Sequence, residues 1–349
     1  MAMTVNSALN LIGGLPDRVL RQVYFGTAAA NAHSRDQVLR DLDFYDVDNW
    51  PAATRPFFSI PDVAPASRTL QEREVEGGSE LLLSYPSRYA VRNPAIASEF
   101  AAHVENLTGY LRIWRHHPTE RRPLVFCVHG YMMGDPAMAR RLFKIEKLFA
   151  RGMDVALYTQ PHHWRRALPS QWRNPMFRAA NVPLSLEHLG QTVHDLHSCT
   201  LLLRQMGWDR LGMVGASLGG LTCALYATQP VDVDFMFIAV PLVSVERLFN
   251  PDRARYSFPV DDELRARVHR AGLLGSPLSY RPAYDLEKIQ VVAHEGDQLC
   301  ELQPIEDWVA GWGIKNYTRV PGGHDLYFDR KIRGNLWRRW LQDAGYTIG

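Results

Sequence analysis

From Leu211 to Ala227 the chain reads LGMVGASLGGLTCALYA, and this stretch constrains the fold more than any other. A short apolar run ends at Gly215, Ser217 follows between small residues, and an apolar segment with helical spacing starts at once, which predicts strand, tight turn and helix. Gly215 and Gly219 lie two residues before and after the serine. A Cβ at either would meet neighbouring backbone if Ser217 is pushed into a strained, exposed conformation, and Ala216 and Gly220 keep the surroundings small. The pattern G-x-S-x-G suits a nucleophilic serine on a sharp turn, and suits equally a glycine-rich turn with an incidental serine. Residues elsewhere in the chain decide between them.

With 349 residues, 46% hydrophobic and 22% charged, the composition is that of a globular protein long enough to bury a sizeable core. The 39 basic and 37 acidic residues nearly cancel, to a net charge of +2, so neither nucleic acid nor an anionic membrane is expected as a partner. Cys127, Cys199, Cys223 and Cys300 lack C-x-x-C spacing and read as buried free thiols in a reducing compartment. No run approaches the roughly 18 apolar residues of a spanning helix. The N-terminus lacks the basic start and apolar core of a signal peptide, so a soluble, cytoplasmic protein is the expectation.

Residues 1 to 75 read as an extension packed on the core, with helices and loops to about Leu70 and a connector in which Pro51, Pro56, Pro61 and Pro65 accompany Trp50, Phe57 and Phe58. Residues 76 to 349 read as one α/β domain. Strands are expected at Leu81 to Tyr89 and Gly109 to Trp114. L-V-F-C-V at Leu124 to Val128 has the continuous apolar character of a strand buried on both faces of a mainly parallel sheet, and His129 and Gly130 end it. A helix over Ala137 to Ala150, a strand at Asp154 to Tyr158 and a long helix over Leu186 to Met206 lead to the serine turn. Beyond it come strands at Val233 to Val240, Ile289 to Ala293 and Tyr317 to Val320, and helices at Ile305 to Trp312 and Lys331 to Leu341. Two segments, near 160–183 and 245–284, have the composition of cap-like insertions, the first rich in Trp, Arg and Pro.

A serine hydroxyl is a poor nucleophile at neutral pH and needs a base within hydrogen-bond reach, oriented by a carboxylate. Loops at the carboxyl ends of parallel strands converge on one rim, so distant residues can meet there. Asp297 follows the strand at Ile289 to Ala293, and His324 follows the last strand in P-G-G-H-D. Glu301 and Asp325 are the alternative acids. His188, His194 and His197 sit near one another on the long helix, but without a convergent carboxylate or thiol they read as a solvated helix face, and no metal or cofactor is expected. The pairs His116-His117 and His162-His163 read as loop residues.

The order nucleophile, acid, base, with H-G at His129-Gly130, G-A-S-L-G at the turn, E-G-D at Asp297 and G-G-H at His324, resembles the α/β-hydrolase superfamily of the serine esterase and lipase kind over roughly Leu81 to Leu341. The resemblance implies an α/β-hydrolase fold, with Ser217 as nucleophile, Asp297 as acid, His324 as base, and an oxyanion hole from the backbone N–H groups of Leu218 and Tyr131. This chain has H-G-Y-M-M-G where many esterases carry H-G-G-G. Weaker similarities in the N-terminal extension and the Trp/Arg region point to a little-studied branch. The implied activity is hydrolysis of a carboxylic ester of a small or lipid-like acyl group, the alternatives being an acyltransferase with the same triad and a catalytically silent binding module. Trp164, Arg165, Arg166 and Trp172 are the expected substrate contacts, in a cap whose apolar wall would include Phe177, Leu273 and Leu274.

Overall fold

The computed structural model describes residues 5–25, 30–31, 33–51, 56–117, 122–133, 135–168, 176–326, 328 and 330–346. In chain order, α1 (Val5–Phe25), a two-residue strand β1 (Ala30–Asn31) and α2 (Arg35–Phe44) precede β2 (Arg68–Val75), β3 (Gly78–Pro86), α3 (Ala97–Ala101) and β4 (Thr108–His116). Next come β5 (Leu124–Val128), α4 (Pro136–Phe143), α5 (Ile145–Ala150), β6 (Asp154–Tyr158), α6 (Val182–Gln205), β7 (Leu211–Ala216), α7 (Leu218–Tyr226) and β8 (Phe235–Ala239). The chain ends with β9 (Arg255–Tyr256), α8 (Asp262–Leu273), β10 (Ile289–His294), α9 (Leu302–Trp312), β11 (Tyr317–Val320) and α10 (Arg330–Asp343).

Nine strands form one sheet in the order β11-β10-β8-β7-β5-β6-β4-β3-β2. From β11 to β6 neighbours run parallel, and β4, β3 and β2 continue the sheet antiparallel. The parallel strands are apolar throughout because both faces are covered: Leu124, Phe126 and Val128 of β5 enter one core, while Val125 and Cys127 enter the other. The first core lies under α6, α7 and α9, the second under α4, α5 and α10. The result is the expected α/β-hydrolase architecture, in which the carboxyl ends of β5, β7, β10 and β11 share one rim.

Three local expectations change. The helix over Ala137 to Ala150 is two helices, because Lys144 takes a left-handed conformation (φ +54°) that ends α4 and starts α5. β2 lies inside the segment read mostly as helix and loop; its residues Arg68 to Glu74 are exposed, as an edge strand's can be. The long helix begins at Val182, earlier than Leu186, because the Asn181 side chain caps it by accepting from Leu184 N–H at 3.1 Å.

N-terminal residues and the 245–284 excursion share a layer over the sheet. β1 pairs with β9 through Ala30 and Arg255, and the Arg270 guanidinium of α8 reaches Asp46 at 2.6 Å and Asp48 at 2.5 Å beyond α2. Such exposed pairs contribute little; the apolar contacts dominate. Trp50, Phe57 and Phe58 are buried and meet edge to face at 5.3 and 5.2 Å between centroids, as the aromatic connector predicts. Glu187 of α6 ties this layer down, accepting from the Tyr45 and Tyr89 hydroxyls at 2.6 Å each and from the amides of Arg92 and Asn93. Among the described residues, no helix is long and apolar enough to cross a membrane.

Candidate active site

Ser217 sits between β7 and α7 with φ +56° and ψ −116°, a conformation that side chains rarely adopt. Its surroundings hold it there. The amide donates to Ala239 O at 3.0 Å, and the carbonyl accepts from Leu221 and Leu242 amides at 3.0 and 3.3 Å. A Cβ on Gly219 would run into the Val128 carbonyl, and one on Gly215 into the Gly219 carbonyl, so both glycines are required for α7 to pack against the ends of β5 and β7.

Asp297 and His324 arrive from the loops after β10 and β11. His324 Nδ1 lies 2.7 Å from Asp297 Oδ2, and Asp297 Oδ1 accepts from the Leu299 and Cys300 amides at 2.8 and 2.7 Å. The carboxylate is therefore fixed by its own loop, and its bond to Nδ1–H leaves Nε2 as the acceptor nitrogen. The Cys300 thiol is in hydrogen-bonding reach of both the His324 ring and the Ser217 hydroxyl, which draws the three side chains to one place. Burial alone would lower the His324 pKa; the adjacent Asp297 carboxylate outweighs it and holds the imidazole well above its usual range. Glu301 pairs with Arg247 at 2.5 Å and Asp325 is exposed, so of the three candidate acids Asp297 is the one bonded to His324.

The H-G-Y-M turn lies beside the serine: an added Cβ on Gly130 would stand 3.4 Å from Ser217 Cβ. Leu218 is the first residue of α7, where helix geometry leaves the N–H without an intrahelical partner, while Tyr131, which follows Gly130, is buried. Two neutral histidines hold the turn. His129 Nδ1–H donates to Gly130 O at 2.8 Å and Nε2 accepts from Gln160 N–H at 3.2 Å, with Gln160 Oε1 taking the Thr222 hydroxyl at 2.8 Å. His163 Nδ1–H donates to Pro161 O at 2.7 Å and Nε2 accepts from the Met132 amide at 3.1 Å. Burial keeps both uncharged, pushing His129 down to about 4 and His163 well below its usual range.

Residues 87–246 match the family model described as alpha/beta hydrolase domain containing 18, a span that takes in the H-G turn and Ser217 and ends before Asp297. The chain has the α/β-hydrolase fold. Acetyl xylan esterase 1 from Thermoanaerobacterium sp. is similar in structure, with TM-score 0.54 at 15% identity over 95% of this chain and 99% of that one. A cold-adapted esterase from an Arctic intertidal metagenomic library aligns with TM-score 0.52 at 12% identity, over 80% of this chain and 98% of its own. An acetyl xylan esterase from Paenibacillus sp. R4 gives 0.51 at 11%, over 93% and 98%. At such identities the likeness is one of fold. No curated protein sequence matches the chain.

The expected substrate contacts divide. Trp164, at φ +50°, lies after β6 with the exposed Arg165 guanidinium 5.0 Å from its ring. Arg166 does not join a basic rim: it is fully buried, 2.7 Å from Asp195, and donates to the Thr159 and Asn106 carbonyls. Trp172 lies outside the described residues. Phe177 stands 5.8 Å from Tyr131 and 6.4 Å from Phe249, lining the side of the turn, whereas Leu274 is in the core. The face of α6 carrying the histidines is buried, not solvated, because the helix is covered by the sheet on one side and the N-terminal layer on the other. His197 bonds the Tyr226 hydroxyl at 2.6 Å, and His188 meets His103 at 3.1 Å with His162 alongside. The nitrogens of His103, His162 and His188 converge within 4.8 Å, but the positive charges of Arg166 and Arg178 bear on His188, while Glu99 and Glu105 bear on His103. His162 and His163 lie in the loop after β6, and both are buried there. Gln160 and Thr222 escaped the sequence reading because neither carries a motif; their role appears only when β6 and α7 are side by side.

Proposed function

We propose that the chain is a serine hydrolase that cleaves a carboxylic ester through an acyl-enzyme. The observation that carries this reading is the strained Ser217 turn together with a His324 whose Nδ1 is fixed 2.7 Å from Asp297. Ser217 Oγ attacks the ester carbonyl while His324 Nε2 takes its proton; the alkoxide leaves with that proton, and water, activated by the same nitrogen, releases the acid. The N–H groups of Leu218 and Tyr131 are the proposed donors to the oxyanion. Trp164, Arg165 and the Phe177 side of the turn are the proposed substrate contacts, with Arg165 suited to an anionic group near the ester; Arg166 serves the loop from beneath. The substrate class is a small or lipid-like acyl ester.

Turnover of neutral and anionic p-nitrophenyl esters of graded chain length tests the reading. Ser217→Ala is expected to lower kcat by about 10⁴-fold or more with the fold intact, and Arg165→Ala to reduce the preference for anionic esters. Unchanged turnover in Ser217→Ala would sink the assignment.

A further inference from the structure

α1 carries Gly13, Gly14 and Pro16 in its interior, residues that all disfavour a helix. Such a segment keeps its shape through tertiary contacts, and these fall on one face, at Asn10, Gly13, Gly14 and Asp17, spaced i, i+3, i+4, i+7. Asn10 Nδ2 donates to Glu295 Oε2 at 2.9 Å, and its Oδ1 accepts from the Gly322 amide at 2.8 Å. A Cβ on Gly13 would run into the Gly323 backbone, and one on Gly14 would stand 2.6 Å from the Gly296 carbonyl oxygen. The helix backbone thus lies directly against the two loops that carry Asp297 and His324.

Asp17 completes that face. It is 0% exposed, and its Oδ2 accepts from the Gln298 amide at 3.1 Å and from the amide of His324 itself at 2.8 Å. One oxygen from α1 therefore joins the residue after the acid to the backbone of the base. We propose that Asp17 is a positioning residue that holds the His324 ring in register with Asp297 and Ser217, so that the N-terminal helix is part of the catalytic apparatus. The inference rests on reading His324 as the base.

Stability does not explain this carboxylate. Burial pushes the Asp17 carboxyl up, against its two backbone bonds, and Oδ1 is buried with no hydrogen bond among the described residues. A carboxyl raised in the folded state costs stability as pH rises through that value, so the ionised group is a burden at neutral pH. Asparagine keeps an oxygen for both amides and removes the charge.

Full-length wild type, Asp17→Ala and Asp17→Asn are compared for kcat and KM on the best ester, for Tm, and for the far-downfield NMR resonance of the His324 Nδ1–H, assigned by its absence in His324→Gln. Asp17→Ala is expected to lower kcat about 10²-fold, as an ångström-scale misplacement does, with KM within about twofold, and to broaden or lose the resonance. Asp17→Asn is expected to restore both with Tm unchanged or higher. Wild-type kcat and resonance in a folded Asp17→Ala overturn the proposal, as does a folded Asp17→Asn that restores neither. Should Asp17→Ala not fold, the asparagine variant decides alone. If wild type hydrolyses no ester, the hydrolase reading fails separately, and the resonance still decides: retained in Asp17→Ala it overturns the role, lost there and regained in Asp17→Asn it supports it.

Discussion

A serine at φ +56° stores backbone strain of order 1–3 kcal/mol, and the chain sustains it with three backbone hydrogen bonds and two glycines that let α7 sit against β5. His324 is tuned at the same scale. In the proposed mechanism it must be neutral to accept the serine proton, and Asp297 raises its pKa, so protonation on acidification begins earlier than for a free imidazole. The acid limb of kcat/KM is therefore expected to have its midpoint above about 6.5, and Asp297→Asn to move that midpoint down while lowering the rate. A profile flat from pH 8 to 5 with chemistry rate-limiting would contradict this. The sharp turn at Ser217 and the meeting of Asp297 with His324 were legible because each of these residues follows a strand of the parallel part of the sheet. Asp17, Gln160 and His163 were not, since each is a polar residue whose meaning depends on a partner brought close by the fold: Asp17 lies 307 positions from His324.

Elements show the same division between pattern and partner. The buried parallel strands announce themselves as continuous apolar runs, and β5 and β6 fall where that pattern places them. β2 does not, because exposed edge residues carry no apolar run, and its strand character comes from pairing with β3. The break between α4 and α5 is invisible for a different reason: Lys144 is an ordinary helix former forced into φ +54° so that Phe143 and Ile145 can both face the sheet. The left-handed conformation costs a non-glycine residue about 1–2 kcal/mol, partly offset in Lys144→Gly by the roughly 0.4–1 kcal/mol entropy of a looser unfolded chain. Lys144→Gly is expected to raise the urea midpoint, for a gain of up to about 1 kcal/mol at constant slope; a lower midpoint would show that the lysine side chain matters more than its backbone strain.

At the scale of the whole molecule, the class of fold was readable from alternating helix and strand signals, whereas the strand order and the layer made from N-terminal residues and the 245–284 excursion were not, since single sequences carry no record of which distant segments pair. Buried polar links hold this layering. Arg166 and Asp195, both fully buried, join the loop after β6 to α6 at 2.7 Å. Arg166→Ala strands the Asp195 carboxylate and is expected to cost about 3–5 kcal/mol in chemical denaturation, while the double change Arg166→Met, Asp195→Leu costs much less; equal losses in both would show that the charges themselves stabilise the fold. The central claim, that Ser217, His324 and Asp297 act as one unit, is tested most directly by intact mass and peptide mapping after reaction with a fluorophosphonate. One adduct per chain on the Ser217 peptide, formed far more slowly in His324→Gln and absent in Ser217→Ala, is the predicted result. An adduct on another residue, or labelling of Ser217 at the same rate without His324, would contradict it.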